Sequence, residues 1–395
     1  MPEPHHTQAE TLARPSARTG GTAIAGPVAA HIAFVMELTL VPLLLPAMRS
    51  AFDLSLGEVA WIFNSYSVAV AVGVLVGGLF GDTFKTAKVF AFGVAAFFAG
   101  SVLLAISANG DTLIAARMVQ GFGAGVFSPL VPVLLTQAAP DKPGRMLILW
   151  GSLAGYVAAV APLAYSGILV AGNWSLAFVF IASIAALSLL FLVWLPPADD
   201  PSAGTRDRPE YHRIFSAGHL WLTLAYVFIT YGAITYFLFR LPLWLTEAGV
   251  QTTYIGFVLS TFWLTFSGLS ALLRNKVDQH HVLSIMAVAP VLIGAGVLLS
   301  YNISIAVLVG AAMLVGSGLA CSNAPSTQMI LRHAPPGLSA MSASLDITLA
   351  RLGGIVTVAL LAETGVSFAG IAISVACVVA ALFAFAICRP AVERA

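Results

Sequence analysis

Three charged residues stand inside apolar runs where a charge has to be explained. Glu37 lies in "AFVMELTLVPLLLP" (33–46), Arg117 opens "RMVQGFGAGVFSP" (117–129), and Asp346 lies in "SASLDITLARLGG" (342–354). A charge at the centre of a bilayer costs at least about 2.5–3.5 kcal/mol, so such residues are kept for a task by default. A carboxyl group in a low-dielectric cavity has its ionised form disfavoured, so it can load a proton from one side and release it to the other. Glu37 fits that role; its alternative is a structural acid that snorkels or bonds a neighbouring helix. Arginine stays charged and cannot carry the proton, but it can tune a nearby carboxylate or hold an anion. Asp346 is either a second titrating site or a lock between helices near one mouth of the bundle. Arg351 follows it by five residues, about 140° around a helix, so the two do not stack as an i,i+4 pair. Arg351 reads as structural.

These residues need elements to hold them, and the composition says which. The 395 residues are 59% hydrophobic and only 9% charged, with mean hydropathy +0.94; soluble domains carry about 25% charged residues. A net charge of +1 leaves no basic surface for nucleic acid. The three cysteines, Cys321, Cys377 and Cys388, make no metal or redox spacing. No metal site, no nucleophile–base constellation and no Walker loop is present, so neither an enzyme nor an ATP-driven pump is expected. The proton is the only coupling ion expected, and no cofactor.

Apolar stretches of about 20 residues are membrane-helix candidates. Twelve fall at 27–48, 58–81, 88–108, 111–135, 146–170, 174–196, 218–246, 253–273, 282–300, 304–329, 338–362 and 366–388. The sequence therefore predicts an all-α membrane protein of twelve transmembrane helices in two pseudo-symmetric six-helix bundles. Its parts are a disordered tail at 1–25, a first bundle at 26–196, a linker at 197–217, a second bundle at 218–389 and a tail at 390–395. Fourteen of the eighteen Lys and Arg fall on the side of the termini, Arg49 alone falls on the other, and Arg117, Arg240 and Arg351 lie within helices. The positive-inside rule then puts both termini in the cytoplasm. The halves also repeat: Pro46 and Pro242, Asp82 and Asp278, and Pro129 and Pro325 are each separated by 196 positions. Transporters built from such repeats bind cargo near the midplane, between the halves.

Four segments carry a family resemblance. "MELTLVPLLLP" (36–46) with "WIFNSY" (61–66), "GGLFGDTFKTAKVF" (77–90), "RMVQGFGAGVFSP" (117–129) and "GSLAGYVAAVAPLAYSG" (151–167) resemble signatures of the major facilitator superfamily, most closely its drug:proton antiporters. Glu37 stands where the first signature usually has Asp. Thr83 and Thr86 replace basic residues of the second, and Ala161 replaces a glycine of the last. The fold has twelve spans where the exporters with that first signature have fourteen. Asp346 is a candidate from its place inside an apolar span and not from the resemblance. The resemblance implies a role in proton coupling for Arg117, beside the first-signature acid Glu37. It also implies a conformational role for Gly78 and Asp82 in the loop motif.

Other positions follow from their types. Gly121 and Gly125 allow close helix packing, and Pro162 bends its helix. Asp82 and the repeat-related Asp278 can cap helix N-termini. Cavity candidates are Asn64, Gln120, Tyr156, Tyr231, Tyr236, Trp263, Asn323 and Gln328, whose polar tips and apolar faces suit an amphipathic cargo. Arg240 is expected to snorkel to the interface. The expected function is proton-coupled export of a small amphipathic organic compound by alternating access, from the bacterial inner membrane, by a monomer. Its partners would be the cargo and the lipid bilayer. Proton symport of a small organic solute or iron-chelate is the alternative, and a non-transporting sensor the remote one.

Overall fold

The computed structural model describes residues 20–81, 86–139, 141–169, 173–192, 212–277, 282–336 and 338–388. The expected conformational sites Asp82 and Asp278 lie outside them, as do residues 1–19, 193–211 and 389–395.

The described residues form helices and no strand. The first half holds α1 (Gly20–Phe52), α2 (Leu56–Gly81), α3 (Thr86–Ala105), α4 (Gly110–Phe127), α5 (Leu130–Ala138), α6 (Pro143–Leu169) and α7 (Ser175–Leu192). The second holds α8 (His212–Ser216), α9 (Gly218–Glu247), α10 (Thr252–Val277), α11 (Val282–Leu299), α12 (Ile305–His333), α13 (Ser339–Leu361) and α14 (Val366–Cys388). Among the described residues eleven helices are long and apolar enough to cross a membrane, and twelve spans result when the bent pair α4/α5 is counted as one. In a bilayer a helix can do this because it satisfies its own backbone hydrogen bonds. Large apolar side chains such as Leu190, Val291, Ile371 and Phe385 are exposed, as a helix face turned to acyl chains requires.

Three boundaries differ from expectation. Helix α1 begins at Gly20, inside the expected tail, and α8 lies inside the expected linker. The fourth span is not one helix: α4 and α5 meet at 41°. Pro129 and Pro132 explain the break, because neither can donate to the preceding turn. The Thr136 hydroxyl bonds the Pro132 carbonyl at 3.0 Å, closing the turn beyond it. Helix α12 has Pro325 alone and stays continuous.

The two-fold repeat is visible in the packing. A Cβ on Gly121 of α4 would strike the Tyr66 carbonyl of α2, and one on Gly316 of α12 would strike the Phe262 carbonyl of α10. Gly123 meets the Gly93 carbonyl of α3 as Gly318 meets the Ala289 carbonyl of α11. Phe262 follows Tyr66, and Ala289 follows Gly93, by 196 positions each, the spacing of the proline pairs. Both halves use small residues to bring backbones together where lipid offers no hydrophobic drive.

Among the described residues the halves touch along several seams, three of them with polar contacts. Helix α6 lies along α10, where the Leu163 N–H, in the turn Pro162 disturbs, donates to Ser260 Oγ at 3.0 Å. Helix α2 lies along α13, where Asn64 Nδ2 donates to the Ile355 carbonyl at 3.2 Å. Helix α1 meets α9 through Arg49 and Glu247, 2.5 Å apart.

Candidate functional site

The first half carries a buried polar network assembled from four helices. Helix α4 starts from a capping box in which Asn109 and Thr112 satisfy each other's backbone. Two turns further in stands Arg117, 1% exposed. Its Nη1 donates to Glu37 Oε1 of α1, a buried ion pair, and to Gln120 Oε1 at 2.7 Å. Its Nε donates to the Ile62 carbonyl of α2 at 3.3 Å. The guanidinium carbon lies 4.1 Å from the centroid of the Tyr66 ring, a cation–π contact. Gln120 passes the network on, donating to Ser101 Oγ of α3 at 3.0 Å.

One side of Glu37 is left open. Its Oε2 is buried and makes no hydrogen bond among the described residues, and the same holds for the Tyr66 hydroxyl. The two groups are near enough to act on each other electrostatically, without good hydrogen-bond geometry. A carboxylate with one oxygen paired and one free can accept a proton on the free oxygen without first breaking its ion pair.

Glu37, Arg117 and Gln120 thus come together, while Asp346 is elsewhere. Asp346, on α13, accepts from Thr327 Oγ1 of α12 at 2.7 Å and makes no ion pair among the described residues. Arg351, one helical stretch on, acts electrostatically on both Tyr66 and Tyr231.

The cavity candidates divide. Tyr231 donates to Asn323 Oδ1 at 2.8 Å, joining α9 to α12. Asn64 is 2% exposed and spends its amide on the α2–α13 seam. Tyr236 and Trp263 are buried with the hydroxyl and the indole N–H unpartnered. Gln328 is exposed. Tyr156 does not join the others. It is 74% exposed, on a stripe of α6 with Leu149, Val160 and Leu163. Gly155 is the residue turned to α10, against Ser267, and one residue of helix rotation carries Tyr156 away from that seam. Gly121 and Gly125 both press on α2, Gly78 lies near the C-terminal end of α2, and Pro162 sits at the α6–α10 seam.

Sequence reasoning missed Tyr66, Ser101 and the far end of α9. Arg240 does not snorkel: it is 7% exposed, and its Nη1 and Nη2 both donate to Glu247 Oε2 at 3.2 Å. Glu247 lies two turns after Arg240 on the same helix face, a spacing that could have paired them.

A bundle of two related six-span halves, one of them holding a buried ion pair, is the architecture of a membrane transporter. The chain belongs to the Major Facilitator Superfamily, whose family model matches residues 28–358. It is 28% identical over 221 residues to the methylenomycin A resistance protein of Bacillus subtilis strain 168, covering 55% of this chain and 46% of that one. It is 31% identical over 140 residues to multidrug resistance protein 3 of the same strain, covering 35% of this chain and 27% of that one. A third relative is the multidrug efflux pump SdrM of Staphylococcus aureus strain N315, 30% identical over 162 residues, 40% of this chain and 36% of that one. The matched part is thus less than half of these relatives' length. Among solved structures, the nucleoside transporter NupG superposes with TM-score 0.76 at 12% identity, covering 94% of this chain and all of that one. The peptide transporter POT in complex with sulfate superposes with TM-score 0.77 at 14% identity, covering 93% of each. Those two likenesses concern the fold.

Proposed function

We propose that this protein is a secondary active transporter that exports a small amphipathic organic compound in exchange for protons. The observation that carries the reading is the buried Glu37–Arg117 pair, with the second carboxylate oxygen unpartnered. Resistance and efflux relatives support the direction of transport. In this reading Glu37 Oε2 takes up the proton. Protonation removes the carboxylate charge, weakens the pair, and leaves Arg117 held by Gln120, the Ile62 carbonyl and the Tyr66 face. Loss of the proton restores the pair. The two states place different demands on α1, α2 and α4, and that difference is what couples the proton to alternating access. One charge crossing 100 mV supplies about 2.3 kcal/mol to drive it.

In this reading both termini are cytoplasmic and the protein sits in the bacterial inner membrane. The Arg49–Glu247–Arg240 cluster then closes the outer end, leaving a cleft of about 310 Å³ between α1 and α9 beside it. Asp346 serves as the second proton-responsive site, and Tyr231, Asn323, Tyr236 and Trp263 border the cargo path. The loss of glycine at Ala161 favours one other reading, proton symport, in which the same pair couples uptake.

The test uses inverted membrane vesicles with an imposed pH gradient and a pH-sensitive dye. Amphipathic compounds are screened against wild type and Glu37→Gln. A compound that collapses the gradient in wild type and not in the variant supports antiport through Glu37. Proton movement that is equal in both overturns the role of Glu37.

A further inference from the structure

Four buried polar atoms without a hydrogen-bond partner converge on one small cavity at the α9–α11 end of the second half. They are Arg240 Nε, Trp244 Nε1, the Tyr236 hydroxyl and the Tyr301 hydroxyl. All four residues line the same enclosure, with Phe237, Leu241, Val297 and Ser300 as its remaining walls. The room is for one small sphere, about 10 Å³. The two hydroxyls and the guanidinium are near neighbours, yet these four atoms make no hydrogen bond with one another. Unsatisfied buried donors of this kind are costly, and four around one point need a common partner.

Hydrogen counting distinguishes two partners, a water and an anion. The four groups present four hydrogens: two on nitrogens that can only donate and two on hydroxyls. A water molecule accepts the two N–H hydrogens and returns its own two to the tyrosine oxygens, which leaves the two tyrosine hydrogens without an acceptor. A monovalent anion accepts all four and adds none. Charge agrees: Arg240 is buried, while its acid Glu247 lies at the partly exposed rim and is shared with Arg49. Asp53 lies near this acid but on the exposed rim of the neighbouring cleft.

We propose that Arg240, Trp244, Tyr236 and Tyr301 form a binding site for a single chloride-sized anion. Ser300 does not contribute, because its hydroxyl is spent on the Val297 carbonyl at 2.7 Å. The anion fixes Arg240 from its Nε side while Glu247 holds it from the other. Glu247 in turn reaches Arg49 on α1, so the site stands directly behind the contact joining the two halves. An anion here stabilises the closed α1–α9 seam.

The test uses the purified full chain in detergent. Thermal unfolding is followed by tryptophan fluorescence while sodium chloride replaces sodium gluconate at constant ionic strength, and chlorine-35 NMR line width is measured in parallel. The midpoint in wild type rises saturably with chloride, and bromide reverses the line broadening. Tyr301→Phe and Tyr236→Phe each remove one donor and keep the ring, raising the apparent dissociation constant at least about tenfold. Arg240→Gln abolishes the effect, and the two Phe variants decide the matter if that chain does not fold. A midpoint and line width indifferent to chloride would mean that the cavity takes water, and the proposal fails. Equal chloride stabilisation of wild type and the Phe variants would place the anion elsewhere, and the proposal fails equally.

Discussion

Glu37 and Arg117 are buried together, and each is tolerable only because of the other. Removing one partner of a buried pair costs about 3–5 kcal/mol, whereas replacing both with neutral groups of similar size is often near neutral. Arg117→Met should therefore lower the thermal midpoint sharply. Glu37→Gln should do less harm, since glutamine still accepts from Arg117 Nη1. The double variant Glu37→Gln/Arg117→Met should recover much of the loss while remaining inactive. A thermal-unfolding cycle of the four proteins in detergent checks this; strictly additive losses would show that the pair is not coupled. Both residues stood out in the sequence as charges in apolar runs. Tyr66 and Ser101 did not, because a tyrosine or serine in a membrane helix is ordinary until a guanidinium is seen lying on it.

At the scale of the element, the close crossing of α2 with α4, and of α10 with α12, rests on glycine. Alanine at Gly121 would set a methyl group against the Tyr66 carbonyl, and alanine at Gly316 would do the same against Phe262. Each should cost about 1–3 kcal/mol by overpacking. The expectation is that Gly121→Ala and Gly316→Ala lower the thermal midpoint by similar amounts, with Gly310→Ala, which meets nothing nearby, as the control. A wide difference between the first two would mean that the repeat is not mirrored in energy. Gly121→Ala should also depress transport more than Gly316→Ala, because α2 and α4 carry Tyr66 and Arg117. The glycine pattern was visible in the sequence, but the faces it serves were not. Helix α4 is glycine-lined on two sides, and periodicity alone does not say which neighbour takes which side.

For the whole molecule, the question is what holds the halves in this arrangement. Their polar contacts, set beside apolar packing such as Phe63 on Phe239, are few: single hydrogen bonds at Ser260 and Asn64 and the half-exposed Arg49–Glu247 pair. An exposed pair of that kind contributes about 1 kcal/mol or less. Glu247→Gln should then shift the ratio of separated to joined α1–α9 ends by no more than about fivefold. Spin labels on Ser50→Cys and Thr246→Cys, with distances measured by pulsed electron resonance, report it as growth of a longer-distance population. An unchanged distribution would show that this pair does not hold the seam. Polar contacts so few suit a protein that must alternate between arrangements, since little directional bonding has to break.

The twelve spans, the two-fold repeat and the family were all decided along the chain. Each depends on local quantities: twenty apolar residues to cross hydrocarbon, the 196-residue spacing and short glycine- and proline-bearing motifs. The tertiary structure decided which polar groups meet. It joined Glu37 to Arg117 across 80 positions and Arg49 to Glu247 across 198. It turned Tyr156 outward, drew Arg240 inward and folded four unpartnered donors around one cavity. The physical reason is that apolar length is a property of one segment, while burial and pairing depend on helix rotation and on the neighbour a face meets.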